Sequence, residues 1–261
     1  MKYIAYGFIF LAATFLASCE KVIDVKVNDA VKKYVIEGVL TDQSRSCEVM
    51  ITQTKGLNED NSFTGVNNAK VTITDDAGVV SNFAQTGAGV YQSSLKGVAE
   101  KTYTLQVNIN GEVFTAVSKM PLPVALDSLY ITEVSFFSTT SKLVNVQYSD
   151  PVTSGNNYRF VQYVNGLKNK GIYIQNDDLS NGRLSTATLY NRDGDINKGD
   201  TVKVELQCID PVIYKYWFSL SQSATGETES ASPANPVSNI TGGALGYFSA
   251  HTVRTKSVIA K

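Results

Sequence analysis

Acidic side chains at alternate positions, a single imidazole and neighbouring carboxylates are the groups in this sequence whose types could do chemistry. The loop Asp193-Gly-Asp-Ile-Asn-Lys-Gly-Asp200 sets Asp193, Asp195 and Asn197 at the first, third and fifth positions of an EF-hand-like register. Side-chain oxygens at that spacing turn inward around calcium. Lys198 stands where the sharp turn needs glycine, Val204 stands where the closing glutamate belongs, and no helical pattern flanks the loop. An Asp-Gly turn leading into a strand accounts for the same residues. The expectation is therefore no metal, with Asp193, Asp195 and Asn197 kept as the candidates. His251 is the one histidine, and a Ser-His-Asp triad could use it. No Gly-x-Ser-x-Gly elbow presents a nucleophile, so a structural role is expected. Asp75-Asp76 and Asp177-Asp178 are adjacent pairs, which point apart in extended backbone. Glycosidase chemistry wants two carboxyls converging across a cleft. No phosphate- or dinucleotide-binding glycine pattern follows a strand and opens a helix. No catalytic residue and no cofactor is expected.

Composition narrows the classes further. One histidine excludes His-rich zinc sites and paired-histidine metalloprotease motifs, and three cysteines exclude a four-cysteine zinc site. Lys and Arg number 23 against 24 Asp and Glu, so there is no basic footprint for nucleic acid. With 43% hydrophobic and 18% charged residues, the chain is ordered and long enough to bury a sizeable core.

The third chemical signal is a thiol. Lys2 supplies a positive start, and Ile4 to Ala17 is an uncharged apolar run too short to span a bilayer. It ends in Leu16-Ala17-Ser18-Cys19, which resembles a bacterial lipobox. That resemblance implies a signal peptide over 1–18, cleavage before Cys19, and transfer of diacylglyceryl and fatty acyl chains such as palmitate to Cys19. Small residues at Ala17 and Ser18 suit the peptidase. Cys47 and Cys208 then remain as the unmodified thiols. Export permits a disulfide between them, but burial of each as a small apolar residue is the favoured reading. A tether over 19–31 follows.

The rest of the chain must fold around these groups, and its pattern is that of short strands. Lys33 to Leu40, Glu48 to Thr52, Ala69 to Thr74, Val79 to Thr86, Gly89 to Tyr91, Thr102 to Ile109 and Val113 to Val117 read as strands. Asn110-Gly111 marks a type I′ hairpin. Strands at this spacing suggest a sandwich of about 90 residues. Ala69-Lys-Val-Thr-Ile-Thr-Asp-Asp-Ala-Gly78, Gly89-Val-Tyr91 and Lys101-Thr-Tyr-Thr-Leu-Gln-Val107 resemble the carboxypeptidase-regulatory-like and transthyretin-like Ig-type sandwich. Met120-Pro-Leu-Pro123 is the boundary, because proline cannot donate to a ladder. Beyond it, Leu129 to Phe137, Leu143 to Tyr148, Tyr158 to Val164 and Thr201 to Cys208 read as strands, and Gly246 to Ile259 as a closing strand with distant partners. Asp210 as N-cap and Pro211 at the first position open a helix whose apolar stripe is Ile213, Tyr216, Trp217 and Leu220. Trp217 is expected in the core. Phe136-Phe137 and Tyr247-Phe248 are candidates for a partner surface, since neighbours in a strand face opposite sides. The alternative is a second covered face. The expected fold is thus mostly β. An N-terminal Ig-like or transthyretin-like sandwich spans 32–119, a linker 120–128, and a second β-rich domain 129–261 with a helix near 211–222.

Asp127-Ser128-Leu129 and Asp200-Thr201-Val202 resemble the short O-glycosylation acceptor of Bacteroidetes, giving Ser128 and Thr201 as candidate sites. Asn239-Ile240-Thr241 fits the eukaryotic sequon, which the lipobox makes irrelevant. Four stretches taken together resemble the Bacteroidetes lipoprotein family known as domain of unknown function 4249. They are Cys19-Glu-Lys-Val-Ile-Asp24, Tyr34-Val-Ile-Glu-Gly38, Gly199-Asp-Thr-Val-Lys-Val-Glu-Leu206 with Tyr216-Trp217, and above all Asn235-Pro-Val-Ser-Asn-Ile-Thr-Gly-Gly-Ala-Leu-Gly-Tyr-Phe248. The resemblance implies an outer-membrane lipoprotein, often encoded near a TonB-dependent transporter, and it brings no catalytic residues. Glu20 and Asp24 after the anchor favour display at the cell surface. The expected function is a lipid-anchored, non-catalytic accessory or binding protein for such a transporter in nutrient uptake. The alternatives are a structural or adhesive surface lipoprotein and a hydrolase that uses carboxylates.

Overall fold

The described residues form seventeen strands and one helix, and buried and less buried residues alternate along strands such as Cys47–Gln53 and Thr102–Ile109. The computed structural model describes residues 31–44, 47–56, 59–60, 62–137, 139–191, 193–225 and 235–261. The proposed signal peptide, Cys19 and the tether as far as residue 30 lie outside the described residues. The strands of the N-terminal half are β1 (Tyr34–Thr41), β2 (Cys47–Gln53), β3 (Lys70–Asp75), β4 (Val80–Asn82), β5 (Ala84–Gly87), β6 (Val90–Ser93), β7 (Thr102–Ile109) and β8 (Glu112–Lys119). Then come β9 (Leu126–Phe136), β10 (Thr139–Ser149), β11 (Asn157–Val164), β12 (Leu167–Lys168), β13 (Tyr173–Asn176), β14 (Leu184–Leu189) and β15 (Thr201–Ile209). Helix α1 (Pro211–Thr225), β16 (Ile240–Thr241) and β17 (Leu245–Ile259) complete the order.

Two layers enclose the first core. Ile36 and Leu40 of β1, Val49 and Ile51 of β2, and Phe248 and Ala250 of β17 meet Ile73, Leu105, Val107 and Phe114 of the five-stranded sheet β16-β8-β7-β3-β4. The second core lies between the three-stranded sheet β14-β10-β9 and the strands β11 and β15. There Val144, Val146 and Leu189 pack against Tyr158, Phe160, Val204 and Leu206. Cys47 is buried in the first core and Cys208 in the second, both as free thiols.

One strand serves both cores. Leu245–His251 of β17 runs parallel to Val35–Thr41 of β1, and Thr252–Ile259 runs antiparallel to β15. The nine-stranded sheet β12-β11-β15-β17-β1-β2-β6-β5, with β13 beside β11, is continuous because of this splice. Asp42 sits where β1 ends. It accepts hydrogen bonds from the Val253 N–H at 2.9 Å and from Arg254 Nη1 at 2.7 Å. Burial opposes its charge, but the bonds from Arg254, Gln43 and Val253 hold the carboxyl below its ordinary range. Gly246 starts the splice at φ 97°, and a Cβ there would stand 2.1 Å from the Ile36 carbonyl oxygen. Only glycine meets both demands.

A second tie is Asp210. Its Oδ1 accepts the Ile213 N–H at 2.8 Å, capping α1 as the sequence predicts. Its Oδ2 accepts the Ser118 hydroxyl at 2.5 Å and the Lys119 N–H at 3.2 Å, and Ser118 Oγ in turn accepts the Ala250 N–H at 2.9 Å. The helix cap, β8 and β17 are thereby joined through buried polar groups.

Several elements differ from the sequence reading. The run Val79 to Thr86 divides at Phe83: β4 pairs with β3 in one sheet, and β5 pairs with β6 in the other. The β9–β10 hairpin outruns its apolar stretch because polar cross-strand pairs extend it, with Ser135 Oγ 3.0 Å from Thr140 Oγ1. Tyr247 and Phe248 are both buried, on opposite faces, because α1 covers the second face. Phe137, at the tip of the β9–β10 hairpin, is 95% exposed.

Candidate functional site

The second face of the long sheet carries polar residues where a purely structural face would carry apolar ones. Arg159, Val161 and Tyr163 of β11, Glu205 and Gln207 of β15, Ser249 and His251 of β17, and Val39 and Thr41 of β1 line a recess of about 310 Å³. Trp217 of α1 and Tyr247 form its aromatic wall, and Lys168 of β12 stands at its margin. The wall is rigid. Trp217 and Tyr247 meet edge-on at 5.2 Å between ring centroids, and Tyr216 packs on Tyr247 at 4.8 Å. Trp217 is buried, as its place in the helical stripe predicts, and one ring face also supports the site.

That face holds a cation. The Arg159 guanidinium carbon lies 3.7 Å from the Trp217 ring centroid, and Nη1 donates to Gln207 Oε1 at 3.0 Å. Arg159 and Lys168 form no ion pair among the described residues. The one carboxylate lining the recess, Glu205, is paired with Lys203 at 2.9 Å. Burial disfavours charge at Arg159 and lowers its pKa; at Lys168 burial acts first and the charge of Arg159 adds to it. Burial pushes the Tyr247 hydroxyl up to about 12.

His251 is buried, and desolvation followed by the charge of Arg159 pushes its pKa down to about 3. Its Nδ1 is 2.9 Å from Ser249 Oγ, the separation of a nucleophile and its base. A base must become charged when it takes the proton, and burial and Arg159 both oppose that here. Ser249 is itself only 2% exposed. Burial and Arg159 therefore disfavour the imidazolium that activating the Ser249 hydroxyl would form.

The family described as a domain of unknown function, DUF4249, matches residues 20–257 of the sequence. The chain belongs to the DUF4249 family. No curated protein sequence matches it. Among solved structures, the chain is similar to a two-domain fibronectin type-III segment of chicken tenascin, at 7% identity and a TM-score of 0.24 over 69% of this chain and 92% of that one. It is also similar to a cytokine receptor complex, at 11% identity and a TM-score of 0.27 over 87% and 96% of the two chains.

The recess of this DUF4249 chain was not singled out in the sequence, apart from His251, Trp217 and Tyr247. Its signal was the polar alternation Lys203, Glu205 and Gln207 in β15 and a single arginine, Arg159, among the apolar and aromatic residues of β11. Asp193, Asp195 and Asn197 lie together elsewhere, around a depression of about 270 Å³ that Asp200 and Asn165 also line. Their polar groups tie loops together: Asp193 accepts the Lys170 N–H at 2.7 Å, and Asp200 accepts the Asn197 N–H at 2.7 Å and the Asn165 amide at 2.8 Å. Among the described residues no group of three or more His, Cys, Asp or Glu side chains is placed to hold a metal ion. Thr201 is exposed at the start of β15, whereas Ser128 is half-buried within β9. The Asn239 amide is fully engaged with Val117 and Phe248 of the neighbouring strands. Among the described residues no helix is long and apolar enough to cross a membrane.

Proposed function

We propose that this DUF4249 chain is a non-catalytic binding lipoprotein. Acyl chains on Cys19 hold it to the outer membrane of a Bacteroidetes cell, facing outward, where it serves a TonB-dependent transporter in nutrient uptake. The observation that carries the binding role is Arg159, half-buried on the face of Trp217 with one side-chain hydrogen bond and no carboxylate partner among the described residues. A cation in that position costs desolvation free energy that a purely structural residue would not need to incur. The anchor rests on the lipobox resemblance at Cys19, and the transporter partnership on family membership.

Two experiments test the reading. Metabolic labelling with a palmitate analogue should mark the native chain and leave Cys19→Ala unlabelled; equal labelling, or none in either, refutes the anchor. Gentle detergent extraction followed by affinity purification should recover a TonB-dependent transporter, and repeated recovery of the chain without one refutes the partnership. Phe137, exposed at a hairpin tip, favours an adhesive surface protein as the second reading. That reading expects Phe137→Ser to reduce cell attachment while growth on restricted nutrients stays unchanged.

A further inference from the structure

We infer that the recess binds a small monocarboxylate with an apolar or aromatic body, its carboxylate held by Arg159 and Lys168 and its body laid against Trp217 and Tyr247. This deepens the binding role proposed above and rests on the recess being the ligand site. A guanidinium has five donors in a planar fork. Gln207 takes one Nη1 bond at 3.0 Å, and among the described residues no carboxylate takes the others. Trp217 fixes the plane of that fork at 3.7 Å, so the donors are aligned before a ligand arrives. A carboxylate matches a guanidinium fork with two parallel bonds.

The charges around the fork select among anions. Lys168 carries a second positive charge at the rim; among the described residues it forms no ion pair, and Glu205 and Glu37 act on it only through their charge. Glu205 also lines the recess, and although Lys203 engages it at 2.9 Å, its charge still faces whatever enters. Phosphate would be drawn by the same two cations, but its remaining oxygens would face the aromatic and aliphatic walls, whereas a monocarboxylate sets its apolar body there. The volume of about 310 Å³ is at the small end for ligand sites. The walls offer aromatic faces at Trp217 and Tyr247 and an aliphatic surface at Val39 and Val161, which suits a compact body with little polarity.

Trp217 is the single tryptophan of the chain, so its fluorescence reports the recess directly. Full-length protein in detergent would be titrated with 3-phenylpropionate, with its neutral amide and with inorganic phosphate, and each affinity confirmed by calorimetry. The acid should change Trp217 emission saturably and bind at least tenfold more tightly than the amide, with phosphate weaker than the acid. Arg159→Gln, which keeps an amide beside Gln207, should weaken the acid at least tenfold. Lys168→Gln at the exposed rim should weaken it about threefold, and it serves as the decisive variant if Arg159→Gln does not fold. Equal binding of acid and amide, tighter binding of phosphate, or unchanged affinity in the folded variants would overturn the carboxylate assignment while leaving a ligand site in place. Failure of all three probes to bind overturns the inference, and the transporter partnership is read separately by co-purification.

Discussion

Replacing Asp210 should separate the energetics of a helix cap from those of the tie to β8 and β17. In Asp210→Ala the Ile213 N–H loses its acceptor, a cap loss of about 1 kcal/mol. The Ser118 hydroxyl loses a bond to a charged oxygen at 2.5 Å, in a position where Ser118 is 1% exposed. Such a bond contributes about 1.5–3 kcal/mol. The bond from Lys119 N at 3.2 Å adds little. The sum is about 3–4 kcal/mol, and at about 2–4 °C per kcal/mol for a unit of this size the midpoint of melting should fall by about 10 °C. Asp210→Ser keeps a short acceptor for the helix but cannot also reach Ser118, so it should lose about 2 kcal/mol. A cycle with Ser118→Ala should give a coupling of about 1–2 kcal/mol. Urea denaturation followed by Trp217 fluorescence and by far-ultraviolet circular dichroism measures all five proteins: the native chain, the three single variants and the double variant. If Asp210→Ala lies within 1 kcal/mol of the native chain, or Asp210→Ser matches the native chain, the tie contributes nothing and the reasoning fails.

Gly246→Ala should abolish soluble folded protein, because its Cβ would overlap the Ile36 carbonyl at 2.1 Å, whereas Gly243→Ala, at φ 89° with open space around it, should cost about 1–2 kcal/mol; comparable stability of the two in thermal melts refutes the close approach. Gln162→Leu should raise stability by about 1 kcal/mol, since the side chain is 1% exposed and neither amide atom has a hydrogen-bond partner among the described residues; a lower urea midpoint would show that the amide is satisfied. His251 should make stability fall on acidification, because its folded pKa lies below the unfolded value of 6.5 and the unfolded chain takes the proton first. The contribution is complete above pH 6.5 and is lost toward about pH 3, at about 1.4 kcal/mol per pH unit. His251→Gln should remove about 2 kcal/mol of the difference between pH 6.5 and pH 5, and equal slopes in the two proteins would place His251 outside the linkage.

Local chemistry was legible wherever neighbours in sequence are also partners in space. Thr102 to Ile109 alternates and forms β7, with Tyr103, Leu105, Val107 and Ile109 all buried. Asn110-Gly111 and Asn165-Gly166 make their turns with positive φ at both positions, 52° and 93°, then 50° and 82°. Asp210 caps α1 and Pro211 opens it. The break at Phe83 was hidden because β4 and β5 are continuous in composition, and only the placement of two sheets divides them. The recess was hidden for a different reason. Arg159, Glu205, Gln207 and His251 come from three strands far apart in sequence, and each reads alone as an ordinary outward-facing residue. Only the register Arg159↔Gln207 and the packing of α1 beside it make them one site. Trp217 was assigned to the core from its helical spacing, and its second role became visible only with Arg159 across from it.

The splice in β17 sets an order of events for the growing polypeptide. Val35 must wait for Leu245, so the earliest strand of the first core keeps one rim of its ladder unclosed until Leu245–His251 has been synthesised. Closing so distant a pair is entropically slow, and an unclosed rim is a template for mispairing between molecules. A ribosomal product truncated just before residue 245 would therefore leave the unpaired edges of β1 and β15 exposed, prone to associate between molecules.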